Sequence, residues 1–471
     1  MPVALQVARH ASEHPRRIAL RAPGGDLSYA GLARRTEAAA ATLRSRGIGR
    51  GTLTALSLAD PAELLVAVLA VDLAGATPLV CDHTWERERR ERIMATVPAH
   101  VRVETPLPSA PGPAPVVAVA SADSGVPGAS PQDRAWACFS SGSTGRPRAV
   151  VRTRASWTDS FPHLSALTGI GPGDVVLVPG PLNSSLYGFA AVHALAAGAT
   201  AVVPGRWPTR PAAHLGDVTA VHVVPHRLPA VLDALRESGR ARGRLRTAVV
   251  GGAALGAGVR DLAARAGVDV VAYYGATELS FVAADTDGHG LRPFPEVEIQ
   301  VRADPGQELG EVWARSPWLA EGYLTTGAGP LRIDGDGWAT VGDVAEPYRA
   351  GEVLRLRGRG GGAIQTGGAT VVPEDVEEVL RRAPGVDDVV VVGSPHPELG
   401  SVVTAILEAD GPRRPSRATL EEVARGGLDA AQRPRRWYAV RSLPRTPAGK
   451  PARGLLAARL ADGDPDIRRL T

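Results

Sequence analysis

The sequence predicts an α/β protein with a large N-terminal domain and a small α+β domain after it. Three observations predict this. Through roughly the first 290 residues, apolar strand-like runs alternate with amphipathic helical stretches, the pattern of a largely parallel sheet covered by helices. From about residue 296 the pattern turns to short strands separated by turns (EVEIQVRA, GEVWARS, EVLRLRGR), as in an antiparallel barrel or sheet. At 358–362 the run GRGGG then interrupts the chain, and consecutive glycines allow backbone angles that other residues avoid.

In chain order, strands are expected at 52–58, 174–180, 200–205, 220–225, 247–252 and 268–275. Helices are expected at 29–47, 63–75 and 227–238. The Pro- and Ser-rich stretch 105–117 reads as a surface linker. Beyond the glycine run come a helix at 373–382, strands at 387–394 and 401–409, a helix at 418–427 and a basic terminal segment. The expected boundary divides the chain into 1–358 and 359–471. No repeat of 20–50 residues and no long low-complexity tract is present.

Composition excludes several classes. The 53 basic and 49 acidic residues leave a net charge of only +4, and aromatic residues make up 4%, so no basic, aromatic-interleaved nucleic-acid surface is expected. Hydrophobic residues at 44% and charged residues at 22% exclude disordered and collagen-like chains. Two cysteines, Cys81 and Cys138, cannot form a disulfide framework. The N-terminus lacks a charged region followed by an apolar core, and the most apolar stretch, 62–76, is too short to span a bilayer. A cytoplasmic protein without a membrane partner is expected. One lysine, Lys450, stands among 52 arginines. Either drift left it behind, or its position requires a compact ammonium that a guanidinium cannot replace.

Five segments could carry chemistry. FSSGSTGRPRAVVRT (139–153) could form a nest of backbone N–H groups and hydroxyls for phosphate oxygens, or an ordinary Ser/Gly loop; it lacks the Gly-Lys-Ser/Thr ending of a Walker loop. YYGATELS (273–280) offers an aromatic for a flat base, a glycine for close approach and a Thr-Glu pair for a metal–phosphate contact, or simply a strand end with a polar turn. GWATVGDVAE (337–346) offers Asp343, after a glycine, as a reasonable partner for ribose hydroxyls. The hinge segment 358–377 and LPRTPAGKPAR (443–453), which holds the lysine, complete the set.

Together, and in this order, the five segments resemble the AMP-forming adenylating superfamily: acyl-CoA synthetases, adenylation domains of nonribosomal peptide synthetases, and luciferases. The resemblance extends to GGAAL (251–255), GEVWARSPWLAEGYL (310–324) and VVGSPHPELG (391–400), and so covers nearly the whole chain. It implies stacked α/β subdomains with a small β-barrel-like region, followed by a mobile C-terminal lid. It also implies ATP-dependent conversion of a carboxylic acid to acyl-AMP, with release of pyrophosphate and transfer to the thiol of CoA or a carrier protein.

By that resemblance Ser140, Ser141, Gly142, Ser143, Thr144 and Gly145 cradle the β- and γ-phosphates, with Arg148 in the place of the usual lysine. Tyr274 packs on adenine beside Gly275, with Gly252 and Ala253 lining the base. Thr277 contacts phosphate and Glu278 holds Mg²⁺. Asp343 binds the ribose hydroxyls, Arg359 lies near ribose and phosphate, and Lys450 bridges the carboxylate and the α-phosphate. Gly361 stands at the hinge position, and Gln365 replaces a usual lysine.

The acid pocket is expected from Asn183, Tyr187, His226, Ala248, Val250, Tyr273, Phe281 and Val282. The segment PLNSSLYGF offers no acid to pair an α-ammonium, so α-amino acids are disfavoured. The bulky rings suit an aromatic or short acid. Only 21 residues follow Lys450, too few for a carrier domain. Two alternatives stay open: transfer to an amine or other small nucleophile, and a non-catalytic relative that binds acyl-AMP or nucleotide. No residue marks a luciferase-type oxidation.

Overall fold

The computed structural model describes residues 1–108, 117–118, 130–140, 147–205, 216–237, 244–252, 255, 257–303, 310–324, 329–359, 364–367, 369–371, 373–386, 388–409, 415–444 and 453–470. Two large sheets pack through a shared apolar core. The first has nine strands, and its centre is parallel: Ile18–Ala22, Thr200–Val202, Val175–Leu177, Ala220–Val223, Thr247–Val250 and Asp269–Ala276. Antiparallel strands Ser280–Asp285 and Arg292–Pro293 finish one edge, and Gly25–Ser28 the other. The second sheet has seven strands, with Leu53–Leu56, Thr77–Val80, Val101–Val103 and Arg134–Ser140 parallel.

The expected helices form where local chemistry favours them. Asp60 accepts from the backbone N–H groups of Ala62 and Glu63, and Pro61 opens helix Pro61–Leu73. Ser28 caps Tyr29–Ser45 in the same manner. Pro61–Leu73 is buried nearly all round, as its largely apolar composition requires, and its two acids, Glu63 and Asp72, pair with Arg35 and Arg154.

From Glu298 the chain builds a six-stranded antiparallel sheet that ends with Leu356–Arg359. From Ile364 it builds another six-stranded sheet with its own core, around Val389, Val391, Ala405, Leu407 and Trp437. The change of sheet thus falls between Arg359 and Ile364. Two features differ from expectation, and one expected segment is not described. The hinge segment continues into a hairpin, Ile364–Thr366 with Ala369–Val371. The basic terminal segment contains helix Arg453–Ala461. Residues 109–116 of the expected linker lie outside the described residues. Among the described residues no helix is long and apolar enough to cross a membrane.

Candidate active site

Two hairpins bring the sequence motifs together. Strands Arg134–Ser140 and Arg148–Thr153 pair antiparallel, with Ser140 opposite Arg148. Ser141, Gly142, Ser143, Thr144 and Gly145, between these strands in sequence, lie outside the described residues. The second hairpin joins Asp269–Ala276 to Ser280–Asp285. Tyr273, Tyr274 and Gly275 therefore lie inside a strand, as the expected strand 268–275 has them, and Thr277, Glu278 and Leu279 form the turn.

The close approach at Gly275 is to protein. A Cβ there would stand 2.0 Å from the Ser280 carbonyl oxygen. Ser280 itself holds φ at 60°, a left-handed angle unusual for a side-chain-bearing residue. Gly275→Ala should force this hairpin apart and cost on the order of 1–3 kcal/mol, read as a lower thermal midpoint.

The turn is held from both sides. The buried guanidinium of Arg152 donates to the Thr277 carbonyl at 2.8 Å and to the Trp318 carbonyl at 2.6 Å, while the Ala320 N–H donates to the Glu278 carbonyl at 2.8 Å. Burial pushes the Arg152 pKa down to about 10, which leaves it charged at neutral pH. The Glu278 carboxylate is only 5% exposed and accepts from the Tyr323 hydroxyl at 2.9 Å. That hydroxyl in turn accepts from the Leu331 N–H at 3.2 Å. Burial and the neighbouring Glu278 charge raise the Tyr323 pKa, so it stays a neutral donor. Tyr274 donates to Asp343 at 2.9 Å, which ties the second hairpin to the antiparallel sheet, where Asp343 lies opposite Arg359.

A cavity of about 810 Å³ opens between these elements. Ser140, Arg148, Gly252, Tyr274, Gly275, Thr277, Glu278 and Asp343 line it. Asn183, Tyr187, Tyr273 and Phe281 line it as well. Three expected pocket residues do not. Ala248 and Val250 point to the helix-covered side of their strand, among Val221, Val223 and Leu232, while Val249 between them faces the shared core. Val282 is fully buried in that core. The His226 side chain, Ala253, Gly361 and Lys450 lie outside what the structure describes, as does the Arg359 side chain.

Arg152 and Tyr323 hold the Thr277–Glu278 turn, and sequence alone assigns neither of them a role. The available signal for Arg152 was a charge inside the apolar strand run AVVRT, and for Tyr323 its place in the quoted segment GEVWARSPWLAEGYL. The carboxylate set also fits a magnesium site. The described residues contain no cluster of three or more His, Cys, Asp or Glu side chains. Mg²⁺ commonly takes only one or two protein carboxylates together with substrate phosphates. Glu278 beside the Thr277 hydroxyl suits that arrangement.

The family model for AMP-binding enzymes matches residues 7–324, and the model for the AMP-binding enzyme C-terminal domain matches residues 375–450. The chain belongs to the AMP-binding enzyme family. Members of this adenylate-forming family use ATP, and Lys450 is the last residue of the second match. The chain is 30% identical over 342 residues to the uncharacterized acyl–CoA ligase YhfT of Bacillus subtilis, covering 70% of this chain and 69% of that one. Some matching sequences are far longer, and the chain spans only 18% of two of them.

Among solved structures, the amide bond synthetase McbA from Marinactinospora thermotolerans is 28% identical with a TM-score of 0.82, covering 97% of this chain and 99% of that one. A malonyl-CoA ligase with methylmalonyl-CoA and AMP bound is 26% identical with a TM-score of 0.74, covering 91% and 97%. Together they bear out the expected α/β fold, with a large N-terminal and a smaller C-terminal domain.

Proposed function

We propose that this AMP-binding enzyme activates a small carboxylic acid as acyl-AMP, releases pyrophosphate, and passes the acyl group to the thiol of CoA or a carrier protein. The observation that carries the reading is one cavity lined by the Ser140–Arg148 hairpin base, the Thr277–Glu278 turn and the Tyr274–Asp343 pair. These are the parts an adenylating site needs: phosphate donors, an acid for a metal, and a base-and-ribose cradle.

In this reading residues 141–145 donate to the β- and γ-phosphates and Arg148 adds charge at their base. Tyr274 supports the adenine, with Gly252 and Ala253 beside it, while Asp343 accepts from ribose hydroxyls and Arg359 lies close by. Glu278 and Thr277 hold Mg²⁺, which when bound neutralises phosphate charge. Lys450 places the carboxylate against the α-phosphate and offsets the charge that develops there. The division into 1–358 and 359–471 lets the smaller domain carry Lys450 in for the first step and out for the second.

Acid-dependent ATP–pyrophosphate exchange tests this reading. A broad panel of aryl, short-chain and medium-chain acids without exchange would defeat it. The likeness to an amide bond synthetase over nearly the full chain supports a second reading, with an amine as acceptor. Supplying CoA, a phosphopantetheinyl carrier protein or simple amines to the preformed acyl-AMP separates the two.

The hinge role falls on Gly361, with glycine on both sides of it. Gly361→Pro fixes φ there and removes a donor. It should slow thioester formation at least tenfold while leaving exchange nearly intact; equal loss of both halves would move the pivot elsewhere.

A further inference from the structure

The acid end of the cavity contains a phenol hydroxyl without an acceptor. Tyr273 lies on strand Asp269–Ala276 and lines the cavity. Its ring is held in place. A Cβ on Gly251 would stand 2.2 Å from the Tyr273 Cζ and 2.5 Å from its hydroxyl oxygen, so the phenol end rests on bare backbone. On its other side the ring meets Phe281 edge-on at 4.7 Å, and Phe281 is backed by Phe294 at 4.7 Å and Phe189 at 5.1 Å. Tyr187, the second phenol of this wall, is seated in the same way against Gly180, whose Cβ would stand 2.0 Å from its Cε2.

Three other tyrosine hydroxyls are satisfied by protein. Tyr29 donates to the carbonyls of Leu195 and Ala199, Tyr274 to Asp343, and Tyr323 to Glu278. Tyr273 has no hydrogen-bond partner among the described residues. Burial and the nearby Tyr187 phenol raise its pKa, so at neutral pH it carries its proton. The residue is half-buried and its hydroxyl opens onto the cavity, so a bound ring that displaces water from it must offer the O–H a partner or leave it unpaired. Here the open side is the cavity.

We propose that the acid activated by this chain is aromatic and carries a hydrogen-bond acceptor on its ring, a hydroxyl, ether or keto oxygen or a ring nitrogen, which receives the Tyr273 hydroxyl. Ring edges from Tyr187, Phe189, Tyr273 and Phe281 form the wall and suit a flat ring better than a flexible alkyl chain. The acceptor follows from the donor. A site built to hydrogen-bond a substrate group rejects the analogue that lacks it, because the site's own buried group is then left unpaired.

This inference rests on the adenylating reading, and the test separates the two. Matched pairs of equal shape, meta- and para-hydroxybenzoate against the corresponding toluates, are compared in ATP–pyrophosphate exchange, with butyrate and octanoate alongside. One hydroxybenzoate should exceed its toluate by about tenfold or more in kcat/KM, the scale of one hydrogen bond in a buried site. In Tyr273→Phe the ring and its packing remain, and that ratio should fall toward one. The same pairs are measured by calorimetry as non-hydrolysable aroyl-adenylate analogues, which requires no turnover. Loss of the ratio in calorimetry without exchange in any arm upholds the Tyr273 contact to a ring acceptor as a binding preference and defeats the catalytic reading. Equal use or binding of hydroxybenzoate and toluate, a preference for the alkyl acids, or a ratio unchanged in Tyr273→Phe overturns the inference.

Discussion

Lys450→Ala is expected to lose acyl-AMP formation by a factor on the order of 10²–10³ or more, the scale on which removing one aimed charge or donor acts. The same variant should still pass a synthetic acyl-AMP to the thiol acceptor, because that step needs the small domain in its other pose. Lys450→Arg should not rescue the first step. An ammonium is a compact point charge on a flexible four-carbon stem, whereas a guanidinium is a broad planar fork. The chain uses arginine at the 52 other basic positions, so survival of a lysine here is hard to ascribe to codon drift. Acetylation offers an independent check, because it removes the charge and has one side-chain amine to act on. Inactivation should track one side-chain acetyl per chain by mass, and ATP together with the acid should slow it. Full adenylation by Lys450→Ala would overturn the role.

Legibility in the sequence followed the physics of each signal. Helices Tyr29–Ser45 and Pro61–Leu73 could be read because their caps and apolar content are local. The parallel strands could be read as strands, but not which side of each faces the cavity. Thr247–Val250 is buried on both faces, so its apolar run carries no parity, and Ala248 and Val250 were assigned to the wrong side. The hairpin after the hinge escaped because its strands, IQT and ATV, are only three residues each, too short for a period to show.

The segments that line the cavity were legible because each is contiguous in sequence. Arg152 and Tyr323 were not, because what they do is defined across the fold. Arg152 reaches the Thr277 carbonyl 125 residues away and the Trp318 carbonyl 166 away, and Tyr323 reaches Glu278 45 residues away.

Glu278 carries the second large effect. Glu278→Gln keeps a side-chain oxygen that can accept from Tyr323, so the turn held by Arg152 and Ala320 should stay folded, with a thermal midpoint near that of the parent. What the substitution removes is a buried negative charge beside the phosphate hairpin. Exchange should fall by roughly 10²–10³-fold, on the scale of losing one electrostatic element aimed at a transferring phosphoryl group. The Mg²⁺ concentration needed for half-maximal exchange should rise at the same time, because the site loses its protein carboxylate. Tyr323→Phe separates charge from placement. It leaves the carboxylate but removes its hydroxyl donor, so a smaller loss, about tenfold, is expected, with a Mg²⁺ requirement close to that of the parent. If Glu278→Gln lowers exchange without moving the Mg²⁺ midpoint, the carboxylate positions the turn and does not hold the metal. If it leaves both unchanged, the metal belongs to another group, and Thr277 and Glu278 serve only as the bend between two strands.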